Sequence, residues 1–413
     1  MTLVLAGGDL VLPDRILTDA SLIIDGGRIA AIEQRSRVEL PGATTIDVRD
    51  SYIVPGFIDV HVHGVEGFDT LDEGNPIAEI ARRLPRYGVT AFCPTTVACG
   101  PLQLRGVLHA VAELRSSRVA GTTRVLPGHL ESNFINPDYK GAQPAECLRA
   151  PLSPAEAGHY VLPGHGDVLP EHGDFSAADI LNAIAEARPD VGIVTLAPEL
   201  PGAIELVTAL AKAGHRVSIG HSGATLDEAI AAIDAGACHA THLFNRMAPM
   251  THRAPGIAGA VLARDDVAAE LICDGYHVHP AMAGIAIAAK GTHRVMGITD
   301  GTAGSGLAAG ATARLGGRRI RVTDTAAVLD DGTLAGSTLT MDRAFRTIVT
   351  AFGLSIVDAA TLCASTPARE LGLTGFGVIA RDAMADLVVL DRGFRVRHTF
   401  IDGDVAYGGA AMR

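Results

Sequence analysis

The sequence predicts an α/β fold in which a closed (β/α)8 barrel is joined to a small β-sandwich domain formed by both chain ends. Eight short apolar runs alternate with Ala-rich amphipathic segments, polar residues stand where those runs end, and both termini have β-rich patterns. Such alternation is typical of a parallel sheet with helices packed outside it. We expect residues 1–54 and 375–413 to form the small domain, and residues 55–374 to form the barrel.

The two chain ends have the same β-type pattern. The first 50 residues alternate apolar and polar side chains, with turn signals at Gly7-Gly8 and Asp25-Gly26-Gly27. Near the other end, residues 386–391 and 396–402 repeat this pattern and precede the turn residue Gly403. Because these two short β-rich segments flank one large middle, we expect them to assemble into a single sheet domain.

The middle of the chain contains the runs that predict the barrel strands. Helical patterns separate most of them, for example at 201–213, 225–236 and 280–290, and eight alternations within about 250 residues fit a closed barrel. A doubly wound open sheet is the alternative, and it would place a ligand at one switch point. A Pro- and Gly-rich segment near 133–175 is expected to be a lid or an active-site insertion. The eight runs cover residues 52–60, 89–96, 124–130, 191–198, 215–220, 237–244, 269–275 and 294–301.

Composition restricts the partners of this protein. The hydrophobic content is 48%, but no stretch approaches the ~20 apolar residues that a membrane span requires. The first residues lack a basic segment and a small-residue cleavage site, so we expect a cytoplasmic protein without a secretory signal. A net charge of −12 disfavours nucleic acid and anionic membranes as partners. With nucleic acid and membranes disfavoured, we expect a small-molecule partner. If that molecule is anionic, a few side chains near its binding site must hold it.

Polar residues that favour metal chemistry follow six of the apolar runs. The carboxyl end of the strands is where barrel enzymes build their sites. A strand with period two puts both histidines of His61-Val-His63 on one side, and imidazole and carboxylate groups are ligands that zinc prefers. Each residue alone could be an ordinary core or surface residue, but burying all of them together is costly without a cation. The residues are His61, His63, Glu131, His221, His242, His277 and Asp300.

Asp300 is the candidate proton carrier. It closes the eighth run in GITDGTAGSG, and a carboxylate beside an activated water can accept a proton and later donate it to a leaving amine. A turn aspartate before Gly301 is the alternative interpretation.

Seven ordered motifs, spread over nearly the whole chain, resemble those of the N-acetylglucosamine-6-phosphate deacetylase family. The resemblance implies hydrolysis of the N-acetyl group of an amino sugar phosphate, with release of acetate. The motifs are PGFIDVHVHG at 55–64, HLES at 129–132, SIGHSGATLDEA at 218–229, ATHLFNRMAPMTHRAPG at 240–256, ICDGYHVH at 272–279, GITDG at 297–301 and LAGSTLTM at 334–341.

The resemblance also implies roles for individual residues. Glu131, His221 and His242 would bind the principal metal, with zinc favoured by the ligand chemistry and iron or another divalent ion as alternatives. Glu131 could bridge to a second ion on His61 and His63, so two ions are favoured over one. The matching substrate positions are Asn245, Arg253 and His277. Asn245 and Arg253 are associated with the phosphate, and Arg253 would reach in from a neighbouring subunit, which implies a homodimer.

Three features of the sequence depart from the pattern of that family. Gln143 stands where the family has a histidine near the scissile carbonyl, and an amide can donate a hydrogen bond but supplies no cation. Arg246 replaces an alanine, and it either strengthens anion binding or is an ordinary solvent-exposed arginine. Ser132-Asn133 stands where Gly-Pro is usual. We expect these residues to face the substrate pocket, so a different N-acyl amino sugar, such as N-acetylgalactosamine 6-phosphate, is an alternative substrate.

Two further functions remain as alternatives. Cyclic-amide hydrolases share the His-x-His pattern but usually have a lysine near the end of the fourth strand, where this chain reads VGIVTLAPE. A barrel that binds a sugar phosphate without catalysis would fit the loss of the histidine at position 143. Acetate release distinguishes these functions, because barrel architecture alone does not.

Overall fold

Five strands form the N-terminal part of a sheet at one end of the molecule. The computed structural model describes residues 2–36, 38, 40–151 and 175–408. The first strand pairs antiparallel with the second and parallel with the fourth and fifth. The five strands are β1 (Leu3–Val11), β2 (Ile16–Asp25), β3 (Arg28–Glu33), β4 (Thr44–Asp47) and β5 (Ser51–Pro55).

The barrel strands follow, and each pairs in parallel with the next around the ring. Their order is β6-β9-β11-β12-β13-β14-β15-β16, while the short β10 extends the pairing of β9, and β7 and β8 form a separate hairpin. The strands are β6 (Phe57–Val62), β7 (Gly64–Val65), β8 (Phe68–Asp69), β9 (Val89–Thr96), β10 (Arg124–Val125), β11 (Gly128–Glu131), β12 (Val191–Leu196), β13 (Arg216–Ile219), β14 (Ala237–Ala240), β15 (Ala268–Ile272) and β16 (Val295–Ile298).

The gap between β16 and β6 is closed by the residues that follow β16. The amides of His63 and Gly64 donate to the carbonyl of Gly301 at 2.8 and 2.9 Å. The hydroxyl of Thr299 donates to Asp59 at 2.6 Å, on the opposite strand. The eight strands therefore form a nearly closed parallel barrel, which confirms the predicted fold class and rules out the open sheet.

Ten α-helices are present in the described residues, and most of them connect one barrel strand to the next. Several begin and end at residues that favour those positions. Thr225 and Glu228 form a capping box at the start of one helix, and Gly214 ends another with φ +94°. The helices are α1 (Pro76–Arg83), α2 (Pro101–Ser116), α3 (Ala177–Glu186), α4 (Ala203–Ala213), α5 (Leu226–Ala235), α6 (Gly256–Ala263), α7 (Pro280–Lys290), α8 (Met341–Thr350), α9 (Ile356–Ala360) and α10 (Thr366–Glu370).

The remaining strands complete two further sheets. A three-stranded antiparallel sheet contains β17 (Thr312–Leu315), β18 (Arg318–Val322) and β19 (Ala327–Val328). The C-terminal strands are β20 (Leu387–Asp391), β21 (Val396–Ile401) and β22 (Asp404–Tyr407), and β20 pairs antiparallel with β5. Both chain ends thus share one eight-stranded sheet with its own apolar core, as expected. The proposed domain boundaries at residues 54 and 375 stay a prediction.

The first apolar run contains two strands that belong to different sheets. Strand β5 ends at Pro55 in the terminal sheet, and β6 begins at Phe57 in the barrel. Gly56 lies at the corner between them, where an added Cβ would lie 2.3 Å from the side chain of Thr90. The corner therefore requires a residue without a side chain.

The segment expected to be a lid lies only in part within the described residues, because residues 152–174 are outside them. Residues 133–151 pack onto the barrel. The side-chain amide of Asn133 donates to the backbone carbonyls of Cys99 and Cys147 at 2.8 and 2.7 Å. Among the helices of the described chain, none has both the length and the apolar character that crossing a bilayer demands.

Replacing Gly56 by alanine is expected to lower the free energy of unfolding by ~1–3 kcal/mol, because the added methyl group overlaps Thr90. Gly106 is the matched control, since it lies within α2 with no neighbour near its missing Cβ. Gly106→Ala is expected to raise the same free energy by ~0.5–1 kcal/mol. Chemical denaturation measures both values, and equal effects of the two substitutions would contradict the packing argument.

Candidate active site

Four histidines and two acidic residues meet at the carboxyl ends of the barrel strands. Each comes from the end of a different strand or from the residues directly after it, apart from the two histidines of β6. All six are at most 6% exposed. The sequence identified every member of this group: His61, His63, Glu131, His221, His242 and Asp300.

The carboxylate of Glu131 lies at the centre of the group. Its Oε1 is 2.8 Å from Nε2 of His221 and 2.8 Å from Nε2 of His242. The two Nε2 atoms are 3.1 Å apart. One oxygen atom therefore faces two imidazoles that come from neighbouring strands.

His61 and His63, at the end of β6, face the same carboxylate, with Nε2 of His61 3.8 Å from Oε1 and His63 on the side of Oε2. Nε2 of His63 is 3.3 Å from Oε2 of Glu131 and 3.3 Å from Oδ1 of Asp300. Nε2 of His61 is 3.2 Å from Nε2 of His63 and 3.4 Å from Asp300. Glu131 thus lies between two pairs of imidazoles, with Asp300 beside one pair.

This donor set fits a bound cation. Two neutral imidazoles whose Nε2 atoms face each other at 3.1–3.2 Å need a shared proton or a metal ion between them. The ligand atoms of Glu131, His221 and His242 lie within 4.8 Å of one another, and so do those of His61, His63 and Glu131. Nitrogen and carboxylate oxygen at this spacing are the ligands that zinc and similar ions use.

The electrostatics of the site favour positive charge. Burial alone would lower the pKa of His63, but hydrogen bonds to Asp300 and Glu131 raise it to about 10. Burial also lowers the pKa of His242, but the hydrogen bond to Glu131 outweighs burial and raises that pKa to about 9. Burial raises the pKa of Glu131, yet the adjacent histidines hold it well below its usual value. Carboxylates that stabilise buried protons so strongly can stabilise a divalent cation in their place.

Two buried residues that the sequence analysis missed lie beside His61. Glu270 on β15 accepts a hydrogen bond from Nδ1 of His61 at 2.9 Å, which directs Nε2 of that ring toward Glu131. His129 bonds the carbonyl of Val60 at 2.9 Å, and burial lowers its pKa to about 4. In the sequence, Glu270 is marked only by being a carboxylate within an apolar run. His129 is marked only by standing two residues before Glu131.

Backbone strain accompanies three of the site residues. His221, His242 and Asp300 have φ values of 47°, 28° and 49°, which few residues other than glycine adopt. Such conformations cost ~1–3 kcal/mol each and cluster at functional sites. Each of these residues lies two positions after the last residue of a barrel strand, so the turn there sets where its side chain lies.

A cavity of about 500 Å³ opens above the site. Four residues that we expected to bind substrate line it, namely Gln143, Asn245, Arg246 and His277. Arg253, the fifth, lies on an exposed loop and does not line this cavity within the described chain. The remaining wall is partly apolar and includes Val97, Tyr139, Phe244, Met247, Ile272, Leu315 and Leu334.

Gln143 is engaged on both sides of its amide. Its nitrogen donates to Oε2 of Glu131, and its oxygen accepts from the amide of Ala98 at 2.7 Å. The side chain is buried, and these two bonds hold it against Glu131. His277, by contrast, bonds Asp274 through Nδ1 at 2.6 Å, which leaves its Nε2 available to a ligand.

Residues 169–406 match the model of the amidohydrolase family. This chain belongs to that family. The amidohydrolases are metal-dependent enzymes that hydrolyse amides, and the buried His and Glu groups around Glu131 could hold an ion. The match includes the strand ends that carry His221, His242 and Asp300.

Full-length relatives in this family are sugar phosphate deacetylases. N-acetylgalactosamine-6-phosphate deacetylase of Escherichia coli O157:H7 is 32% identical over 98% of this chain and 100% of that enzyme. N-acetylglucosamine-6-phosphate deacetylase of Bacillus subtilis is 32% identical over 96% and 95% of the two chains. The structure of a mutant deacetylase from Mycobacterium smegmatis, in complex with N-acetyl-D-glucosamine-6-phosphate, has a TM-score of 0.83 at 29% identity, covering 98% of this chain and 99% of that one.

Replacing Glu270 by glutamine is expected to weaken metal retention by about 10- to 100-fold, because His61 loses the anionic acceptor of its Nδ1 proton. The measurement is metal content per chain after dialysis against a series of chelator concentrations. Glu186→Gln is the matched control, since Glu186 is exposed and pairs with Arg105 far from the site. A Glu270→Gln protein that retains metal as the control does would contradict this role.

Proposed function

We propose that this amidohydrolase removes the acetyl group from N-acetylglucosamine 6-phosphate, giving glucosamine 6-phosphate and acetate. The observation that carries the proposal is the convergence of His61, His63, His221 and His242 on one carboxylate, at the floor of a cavity with cationic and amide side chains in its wall. Relatives of nearly equal length named for this reaction add support. We further propose that the enzyme acts in the cytoplasm as a homodimer.

The proposed metal ligands form two sets that share Glu131. His221 and His242 complete the principal set, and His61 and His63 complete a second, so two ions are favoured. Zinc fits these nitrogen and oxygen donors best, with iron as the alternative. When bound, such ions activate water and polarise the carbonyl of an amide. Gln143 and Glu270 hold Glu131 and His61 in the orientation that this requires.

Asp300 is the proposed acid-base residue. Burial raises the pKa of this carboxyl, but the nearby His61 and His63 hold it below its usual value, so Asp300 is ionised at neutral pH. An ionised carboxylate at the cavity floor can accept a proton from the attacking water. The same group can then donate that proton to the nitrogen of the leaving amine, which completes the hydrolysis without another acid.

The proposed substrate contacts lie higher in the cavity. Asn245, Arg246 and His277 have side chains in its wall, and these groups suit the hydroxyl and phosphate oxygens of an amino sugar phosphate. Arg253 would contribute only from the partner subunit of the proposed homodimer, because it is exposed and outside the cavity of its own chain. Gln143 is proposed to position Glu131, since both ends of its amide are already bonded.

N-acetylgalactosamine 6-phosphate is the second candidate substrate, since the Escherichia coli relative is named for it at 32% identity. The two sugars differ only in the orientation of one hydroxyl group, so a direct kinetic comparison distinguishes them. A cyclic amide is disfavoured because β12 and the residues directly after it contain no lysine.

A panel of N-acylated amino sugars tests the proposed reaction, with free amine and acetate measured for each compound. We expect N-acetylglucosamine 6-phosphate to have the highest kcat/KM. A higher value for N-acetylgalactosamine 6-phosphate would favour the second candidate. Binding of the sugar phosphates without acetate release would instead identify a non-catalytic barrel.

Asp300→Asn is expected to lower kcat by about 10²- to 10⁴-fold, because the amide cannot accept the proton of the attacking water. Metal content measured on the same sample should equal that of the unaltered enzyme. Asp324→Asn is the control, since Asp324 is exposed on the loop before β19. Turnover retained by Asp300→Asn at full metal occupancy would overturn the assignment.

A further inference from the structure

A second cavity, here called the arginine cavity, opens at the opposite end of the barrel. Its volume is about 700 Å³, compared with about 500 Å³ for the cavity above the active site. It lies at the amino ends of strands β10, β12 and β13, beside the end of helix α4. Among the residues that the structure describes, no carboxylate side chain lines it. Five arginines line it instead, namely Arg115, Arg118, Arg124, Arg188 and Arg216.

Three of these arginines are paired with aspartates that are not part of the cavity wall. Arg115 forms an ion pair with Asp190, and Arg118 and Arg124 share the carboxylate of Asp402. Burial lowers the pKa of Arg118, and the positive charge of Arg124 lowers it further. Nε of Arg124 is buried and has no hydrogen-bond acceptor within the described residues. Positive charge is therefore concentrated here, in a chain whose net charge is −12.

The other two arginines have no acidic partner in the described part of the chain. Nε of Arg188 donates to the carbonyl of Ala213 at 2.6 Å, and Nε of Arg216 donates to the carbonyl of Glu370 at 2.8 Å. These carbonyls belong to the last residues of α4 and α10, so each guanidinium caps a helix end. In the same described residues, the terminal nitrogens of both arginines have no acceptor and no carboxylate oxygen within 4.0 Å. Both guanidiniums can thus donate to a ligand.

The free ends of both arginines lie at the edge of the cavity. Nη2 of Arg188 is 4.0 Å from the point that a Cβ on Gly214, a residue of the cavity wall, would occupy. Nη2 of Arg216 is 3.8 Å from the corresponding point on Gly372, whose two neighbours in the chain also line the cavity. Both arginines are exposed, so a molecule in solution can reach them.

Apolar side chains form much of the remaining wall. Leu126 and Val191 are buried there, and Leu371 and Leu373 are partly buried. Such a wall suits an anion that also has a planar or apolar part, because that part leaves water when it packs on the wall. Guanidinium groups stack on planar rings as well. The volume of the cavity lies in the range that is typical of small-molecule sites.

The arginine cavity is separate from the active site. Within the described chain, the two cavities share no lining residue. Strands β11 and β13 run between them, from the arginine cavity toward Glu131 and His221. Each of these strands has four residues, a length of roughly 13 Å. A small molecule bound between the arginines therefore does not reach the proposed metal ligands, and it is not the substrate.

We propose that the arginine cavity is a second ligand site and that it binds a nucleoside polyphosphate. The linked phosphoryl groups accept hydrogen bonds from Arg188 and Arg216, and the planar base packs on the apolar wall. Guanidinium groups form charge-assisted and frequently bidentate hydrogen bonds with phosphoryl oxygens, so two of them match the two phosphoryl groups of a nucleoside diphosphate. This inference does not depend on the proposed reaction, because no group of the active site takes part in it.

Calorimetric titration of the whole chain with ADP, pyrophosphate and adenosine tests this site. We expect ADP to bind more tightly than either of the other two compounds, because only ADP has both the phosphoryl groups and the base. In Arg188→Ala/Arg216→Ala the Kd for ADP is expected to rise by about 10- to 100-fold, since the charge-assisted hydrogen bonds of two guanidiniums are lost. Arg319→Ala/Arg321→Ala is the matched control. It removes the same charge from two exposed residues of β18, and ADP should bind as before.

A second variant separates ligand binding from the capping of the two helices. In Arg188→Gln/Arg216→Gln each amide can still donate to the carbonyl of Ala213 or Glu370, but it carries no charge. We expect this variant to bind ADP as weakly as the alanine variant does. A melting temperature equal to that of the unaltered protein would show that the weaker binding does not come from unfolding.

Several outcomes would contradict the proposal. One is that the unaltered protein does not bind ADP. Another is that ADP binds equally well to the two double alanine variants, as it would if metal ions in the active site held it. Unchanged binding by the glutamine variant would show that the charge of the two arginines has no part. Equal affinities for ADP and pyrophosphate would refute the contact between the base and the apolar wall.

Discussion

The sharing of the Glu131 carboxylate by imidazoles from three strands is the interaction on which the rest of the site depends. One oxygen faces His221 and His242, and the other faces His63 and the amide of Gln143. A buried carboxylate with so many neighbours is stable only if positive charge accompanies it. The surrounding residues therefore act mainly to fix the positions of groups that together bind a cation.

The fold brings the imidazoles and carboxylates of the site together because the barrel closes beside them. The carbonyl of Gly301 links β16 to the residues after β6, and Thr299 bonds Asp59 across the same gap. This closure brings Asp300 to within 3.4 Å of both β6 histidines. The strained turns at His221, His242 and Asp300 have a cost in stability that the buried barrel core offsets.

The sequence predicted the barrel well because its signals are local. Most apolar runs contain one buried strand that their composition marks, and the helices expected at 201–213 and 225–236 are observed at 203–213 and 226–235, with capping residues in the sequence. The first run was harder, since its division at Gly56 depends on contact with Thr90, a residue distant in sequence. The grouping of His61, His63, Glu131, His221, His242 and Asp300 was also predicted, because parallel strands end at the same edge.

Residues that act through tertiary neighbours could not be identified in this way. Glu270 lies within an apolar run, and only its contact with His61 shows what its carboxylate does. Gln143 was expected to contact substrate, which stays a prediction, and only the fold shows that its amide also bonds Glu131 and Ala98. Arg318 lies in a three-stranded sheet that the sequence analysis did not predict, and the fold brings its guanidinium to within 2.9 Å of the carbonyl of Ala142. Each role depends on which distant segment packs beside the residue.

Anomalous diffraction from crystals of the zinc-loaded protein would show directly whether the shared carboxylate holds a cation. We predict a peak at a distance of ~2.0–2.2 Å from Glu131, His221 and His242, the range for zinc bonded to nitrogen and oxygen. A zinc-loaded crystal with no anomalous peak among these three side chains, or with its peak elsewhere, would contradict the assignment of Glu131 as the centre of a metal site.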